Sequence, residues 1–267
     1  MNRRDFVINT ALAAGALAAI PGMAACTPAE KYPFPLLDLH VHTSDQLSIA
    51  QIMRVSKETG INFGIVDHPA PWALKDDADL KRHIETLRKF PVYVGLQPTT
   101  TNWTGGYSPE LLKQIDYILM DPQTVPLDDG SFMSIWQFDT YVDDTEEFME
   151  RYMAHSLNIL KNEPINIFGW PLFLPVCIAR DYYTLWTNAR LTALIDAAKA
   201  RNIAFEINDM SHTPHDQFIL MAKEAGLKFT FGSDQRSSNV GRLAYCKSIA
   251  LKCKLTGDDF WVPKKNS

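Results

Sequence analysis

The stretch Leu37-Asp38-Leu39-His40-Val41-His42-Thr43-Ser44 sets the reading of this chain. It is a short β-type run that ends on two imidazoles. A strand has a period of two, so Asp38, His40 and His42 share one face while Leu37, Leu39 and Val41 take the other. Two imidazoles aimed into one space at the C-terminal end of a strand suit a divalent metal. Active sites of parallel barrels are built at that end of the strands. A bare His-x-His is also common as a hydrogen-bonded surface pair, so the rest of the chain must decide.

Outward from this stretch, Leu36–His40 is the first of seven strand candidates. The others are Ile61–Val66, Val92–Leu96, Tyr117–Met120, Ile165–Phe168, Ile203–Ile207 and Lys228–Phe231. Amphipathic stretches separate them, the βα signature of a mostly parallel sheet. Ser48-Ile49-Ala50-Gln51 is a capping box. Ser108-Pro109-Glu110 places a cap, a first-turn proline and an acid in order, and Thr213-Pro214-His215-Asp216 repeats that grammar. Gly60 and Gly226 stand where helices should stop before a strand. A helix over about 143–161 carries Phe148, Tyr152, His155 and Ile159 at helical spacing, so His155 reads as a satisfied core histidine. His83 lies in a polar helix and reads as solvent-facing. The connection over 122–142 is long, and its Asp128-Asp129-Gly130 turn predicts a hairpin or flap over one barrel mouth.

The 267 residues are 46% hydrophobic and 21% charged, a globular composition that fits one large α/β domain. A net charge of −5, a pI near 5.8 and no block of like charges argue against nucleic acid as a partner. The N-terminus places Arg3-Arg4 before Phe6-Val7 and an Ala/Gly-rich run, the pattern of a twin-arginine export signal. Met23-Ala24-Ala25-Cys26 reads as a lipobox, with Met in place of the usual Leu and Cys26 as the lipidated residue. The expected organisation is a signal peptide over 1–25, a linker over 26–35 and one domain over 36–267. The expected location is the periplasm or cell envelope. Past residue 30 no apolar run is long enough to span a bilayer, so membrane attachment would run only through Cys26. Cys177, Cys246 and Cys253 give no disulfide framework, and all three read as buried apolar residues.

Three more strand ends carry polar groups: Val66-Asp67-His68-Pro69, Phe205-Glu206-Ile207-Asn208 and Gly232-Ser233-Asp234-Gln235-Arg236. Taken in order, His40-x-His42, Asp67-His68, Glu206-Ile207-Asn208 and Gly232-Ser233-Asp234 resemble the motifs of the PHP (polymerase and histidinol phosphatase) family over about residues 36–245. The resemblance implies a distorted (β/α)7 barrel, two or three bound metals and phosphoester hydrolysis. It implies His40, His42 and Asp234 as ligands of one metal and His68 as a ligand of another.

Four positions depart from the family pattern. Gln97 stands where a bridging glutamate is expected, Asp121 and Trp170 where histidines are expected, and Arg236 where a final histidine is expected. Two dications about 3.5 Å apart repel by about 19 kcal/mol at an effective dielectric of about 20. Neutral Gln97 offers an oxygen but no charge to offset that, so a single zinc, manganese or iron ion is the expected cofactor. His40, His42 and Asp234 would hold it, with Gln97 or water completing the shell and Asp38, Asp67 and Glu206 supporting. Asp121 or His68 would assist proton transfer, and Arg236 would clamp a phosphorylated small-molecule substrate. The alternatives are a metal-free barrel that binds a ligand or glycan at the envelope, and an amidohydrolase-type (β/α)8 enzyme, against which the count of seven strands speaks.

Overall fold

The computed structural model describes residues 31–266; the export and lipobox motifs, Cys26 included, lie outside the described residues. The strands are β1 (Leu37–Val41), β2 (Asn62–Ile65), β3 (Tyr93–Leu96), β4 (Tyr117–Met120), β5 (Thr124–Pro126), β6 (Phe132–Ser134), β7 (Ile167–Phe168), β8 (Ala204–Asn208) and β9 (Phe229–Gly232). The helices are α1 (Ile49–Thr59), α2 (Asp77–Leu87), α3 (Pro109–Leu112), α4 (Thr145–Asn162), α5 (Tyr182–Leu185), α6 (Asn188–Ala200), α7 (Asp216–Glu224) and α8 (Ala244–Lys252). Seven strands pair in parallel in the order β1-β2-β3-β4-β7-β8-β9, the α/β architecture expected from the seven runs.

The sheet curls until its two edges meet. β1 and β9 share a bridge between Val41 and Gln235, with the His42 N–H donating to Gln235 O at 3.1 Å. Elsewhere along this seam a side chain takes the place of the backbone ladder. Asp38 is fully buried and accepts from the Ser233 N–H at 2.9 Å and from Ser233 Oγ at 2.6 Å. Asp38 is therefore a staple of the barrel seam, and its Oδ1 also accepts from the His40 N–H at 3.4 Å. The pairing register of β1 shifts between Asp38 and Val41, which interrupts the simple alternation of faces.

A small apolar cluster of Leu37, Leu39, Val66, Tyr117, Leu119 and Ile167 fills the barrel, apart from the main core between sheet and helices. Tyr117 sets its shape. A Cβ on Gly64 would lie 2.3 Å from the Tyr117 hydroxyl, and one on Gly95 2.4 Å from its Cζ. The two glycines on β2 and β3 thus make room for one phenol ring, whose hydroxyl donates to Leu39 O at 2.7 Å.

Ser48 and Gln51 form the capping box of α1, and Gly60 ends that helix in the left-handed region at φ 74°. The long connection contains the β5–β6 hairpin, which packs on α4; Arg151 there holds Asp128 through two bonds of 2.7 and 2.8 Å. The folded body reaches back to Phe34, which is buried against Phe231 and Phe260.

Several local readings are corrected. The helix at Pro109 is a single turn. Helix α7 is capped by His215, not Thr213, because Thr213 Oγ1 pairs with Ser211 and its carbonyl accepts from the Asn208 N–H. His83 folds inward and reaches Gly95 O at 3.3 Å. His155 is buried as expected, but its Nε2 has no hydrogen-bond partner. Cys246 and Cys253 are buried, whereas Cys177 is exposed. Among the described residues no helix is long and apolar enough to cross a membrane.

Candidate metal centre

Interior positions recur every second residue along each strand. From Gly95 the count reaches Gln97, from Leu119 it reaches Asp121, and from Glu206 it reaches Asn208. From Gly232 it reaches Asp234. The polar residues at the C-terminal strand ends therefore gather in the mouth of the barrel, where Gln97, Asp121, Glu206, Asn208 and Asp234 are all buried.

Three of them meet closely. One ligand atom each from His40, His42 and Asp234 lies within 4.8 Å of the other two. His40 Nε2 and His42 Nε2 each stand 3.4 Å from Asp234 Oδ1. Neither nitrogen has a hydrogen-bond partner, although both are buried. A buried polar atom left unpaired costs about 1–3 kcal/mol. Two such atoms facing one carboxylate could serve as the donor set of a divalent ion, so the residues present fit one metal.

The other side of His40 supports this. Its Nδ1 lies 2.7 Å from Glu206 Oε1, and the second oxygen of Glu206 accepts from the Trp170 N–H at 2.7 Å. A carboxylate on the far nitrogen of a histidine fixes the ring and directs Nε2 toward a metal. Trp170 sits at φ 44°, in the left-handed region, and in that conformation its N–H is bonded to Glu206. Gly232 supplies the space: a Cβ there would lie 1.8 Å from Glu206 Oε1 and 2.7 Å from His40 Cβ.

The titratable groups of the site are pushed in opposite directions. Burial alone would lower His40, but the carboxylates of Glu206 and Asp234 outweigh it and raise the ring to about 9. Burial takes His42 down to about 3 against the pull of Asp234. Burial would raise Asp234, yet His40 and the neighbouring cations hold it well below the usual carboxylate range. Burial raises Asp121 despite its bond from Gln97, and raises Asp38 to about 7.

Gln97 and Asp121 form a separate pair: Gln97 Nε2 donates to Asp121 Oδ2 at 2.8 Å, and Gln97 Oε1 is buried without a partner. His68 stacks on His42 with ring centroids 4.9 Å apart, and its Nδ1 meets Gln97 O at 3.0 Å. Asp67 accepts from the backbone N–H of His68. Arg236 bonds Asp234 Oδ1 at 2.5 Å, the same oxygen that faces both imidazoles, and lies 3.5 Å from His68 Nε2. His212 and His215 do not join a ligand set; His212 stacks on Tyr245 and His215 pairs with the Tyr182 hydroxyl.

Three contributors were not read from the sequence: Ser233, the Trp170 N–H and the missing side chain at Gly232. The Gly232-Ser233-Asp234 run held two of them. Trp170 stood out for the histidine it replaces and for its aromatic neighbours Phe173 and Trp186, not for its backbone N–H.

The fold and the cluster define a class: a nearly closed, seven-stranded parallel barrel of TIM-like type, with a candidate His/His/Asp metal site at the C-terminal ends of its strands. No family model matches the chain, and no curated protein matches it. Among solved structures it is similar to a chain of archaeal ribonuclease P with mature tRNA, with TM-score 0.41, 12% identity and 81% of this chain and 89% of that one covered. It is also similar to an HpcH/HpaI aldolase from Desulfitobacterium hafniense DCB-2, with TM-score 0.39, 11% identity and coverage of 84% and 95%. At such scores neither likeness carries an argument.

Proposed function

We propose that this chain is an exported, metal-dependent hydrolase of the PHP type that cleaves phosphoesters with one divalent ion, zinc, manganese or iron. The observation that carries the proposal is the pair of buried, unpartnered Nε2 atoms of His40 and His42, both 3.4 Å from one oxygen of Asp234. An ion held by these three residues supplies Lewis acidity toward a phosphoryl oxygen and a more acidic water.

The remaining roles belong to the chain's own groups. Glu206 fixes the His40 ring through Nδ1. Arg236 is partly exposed and carries the permanent positive charge beside the cluster. Ser44 Oγ donates to Arg236 O at 2.7 Å and anchors its backbone. Were Asp234 to hold the ion, the Arg236 guanidinium would be left to the anionic substrate, two of whose phosphate oxygens its planar fork suits. Asp121, raised by burial, holds or releases a proton nearer neutral pH than an exposed aspartate does. His68 stands beside Arg236 and His42 as a second proton carrier. Export by the twin-arginine route, with a lipid on Cys26, belongs to the same proposal and rests on the sequence motifs.

A second reading has its own observation. Arg236 bonds the very oxygen that an ion would use, and a permanent guanidinium there suits a metal-free barrel that binds ligands without turnover. One experiment separates the two. The protein is purified without chelator, its metal content is measured, and hydrolysis of p-nitrophenyl phosphate is followed with and without EDTA. The hydrolase reading expects about one ion per chain, turnover that EDTA abolishes, and loss of both in His42→Ala. Folded, metal-free protein with no turnover after zinc, manganese or iron is added refutes it and favours the second reading.

A further inference from the structure

A second cavity opens at the same end of the barrel and is not part of the metal cluster. It lies where the chain leaves β7 and β8 and is bounded by α8, with a volume of about 520 Å³. That falls within the usual range of small-molecule sites, about 300–1,000 Å³.

Its walls are rings. Tyr182, Tyr183 and His215 form an edge-to-face cluster with centroids 5.2 to 5.4 Å apart. His212 and Tyr245 stack in parallel at 4.8 Å with planes 10° apart. These contacts set the rings against one another. The loop behind them is pinned as well. Asn208, at the end of β8, accepts through Oδ1 from the N–H groups of Met210 and Ser211 and from Ser211 Oγ. His212 is held at φ 54°, a backbone region that residues other than glycine seldom adopt.

The charge of the cavity narrows its ligand. Asp216 and Lys252 are the only acidic or basic side chains, histidine aside, in the lining, and they neutralise each other at 2.6 Å. No cation remains for a phosphate or carboxylate. Yet the walls are not plainly apolar. Among the described residues, no hydrogen bond engages the Tyr183 hydroxyl, His215 Nε2 or the His212 ring. A flat hydrocarbon would strip water from those groups and offer no hydrogen bond in return, which is unfavourable. A ring with apolar faces and hydroxyls around its edge satisfies both features.

We propose that this cleft binds a neutral pyranose sugar, stacked on the tyrosine and histidine rings and hydrogen-bonded by Tyr183, His212 and His215. The cleft stands independently of the metal reading. The test is saturation-transfer NMR on the purified chain, with methyl β-glucopyranoside, methyl β-galactopyranoside, methyl α-mannopyranoside and methyl N-acetyl-β-glucosaminide as probes and indole as the flat control. At least one pyranoside receives saturation, strongest at the protons of one ring face. Tyr183 is 75% exposed, so Tyr183→Ala leaves the fold intact and weakens that binding about three- to tenfold, while Tyr183→Phe, which keeps the ring face and loses only the hydroxyl, weakens it by less. His42→Ala and EDTA-treated protein bind the pyranoside as the parent does, which keeps this result separate from the fate of the metal site. The proposal is overturned if no pyranoside binds, if only indole binds, if Tyr183→Ala changes nothing, or if chelation abolishes binding.

Discussion

Gly232→Ala puts the construction of the site to its most direct test. The added methyl carbon would lie 1.8 Å from Glu206 Oε1 and 2.7 Å from His40 Cβ, inside any permitted contact. Glu206 is fully buried and cannot swing into solvent. Moving it breaks the 2.7 Å bonds to His40 Nδ1 and to the Trp170 N–H. Hydrogen bonds to charged groups are worth about 1.5–3 kcal/mol each, so the pair amounts to about 3–6 kcal/mol. Replacing glycine by alanine returns about 0.4–1 kcal/mol by restricting the unfolded chain. The net expectation is a loss of about 2–6 kcal/mol, read as a fall of the urea midpoint of about 1 M or more at an ordinary denaturant slope. The same variant should lose zinc binding measured by calorimetry under conditions where it remains folded, because His40 no longer has a fixed ring. Gly105→Ala is the control: nothing lies within 4 Å of a Cβ there, so stability should change by less than about 0.5 kcal/mol. A Gly232→Ala protein that loses less than 1 kcal/mol and binds zinc as the parent does would show that Glu206 and His40 are not packed as described.

Further expectations concern single groups. Glu206→Gln keeps the volume but removes the charge behind His40, and zinc affinity by calorimetry should drop 10- to 100-fold; an unchanged affinity refutes its orienting role. Arg236→Gln removes the cation that shares Asp234, so zinc should bind more tightly while KM for p-nitrophenyl phosphate rises; weaker zinc binding would contradict the competition. His155 is held at about 4 by burial, below the ordinary value of 6.5. Below pH 6.5 the unfolded chain therefore takes up a proton that the folded chain refuses until about pH 4. Stability should decline by about 3 kcal/mol across that window, and His155→Leu should flatten this acid limb of chemical denaturation. An acid limb of the same slope in the variant would exclude His155 as its source.

The seven strands were legible because each is a short apolar run closed by glycine, aspartate or another polar residue, and local chemistry alone marks such ends. The capping box at Ser48 and the αL glycine at position 60 are local in the same sense. The convergence of His40, His42 and Asp234 was also legible, since strand ends in a parallel barrel face one mouth. What the sequence hid were relations between distant neighbours. Period two set Asp38 beside the histidines, and it does accept from the His40 N–H, but no period reveals that Ser233 bonds both of its oxygens across the open seam with β9. Gly64 and Gly95 carried no signal until Tyr117 was seen lying across them. His155 was rightly placed on an apolar stripe, yet no helical period reveals that nothing polar faces its Nε2.

The seam that Asp38 fastens joins residues 195 positions apart, and the candidate metal cluster straddles the same line. Two imidazoles stand on one lip and the carboxylate on the other. A nascent or half-folded polypeptide can offer only the imidazoles, so if these three residues hold an ion, its firm capture would await arrival of the last strand. Ion uptake would then serve as a certificate of completed assembly, and a stalled or truncated product would betray itself by failing to acquire it.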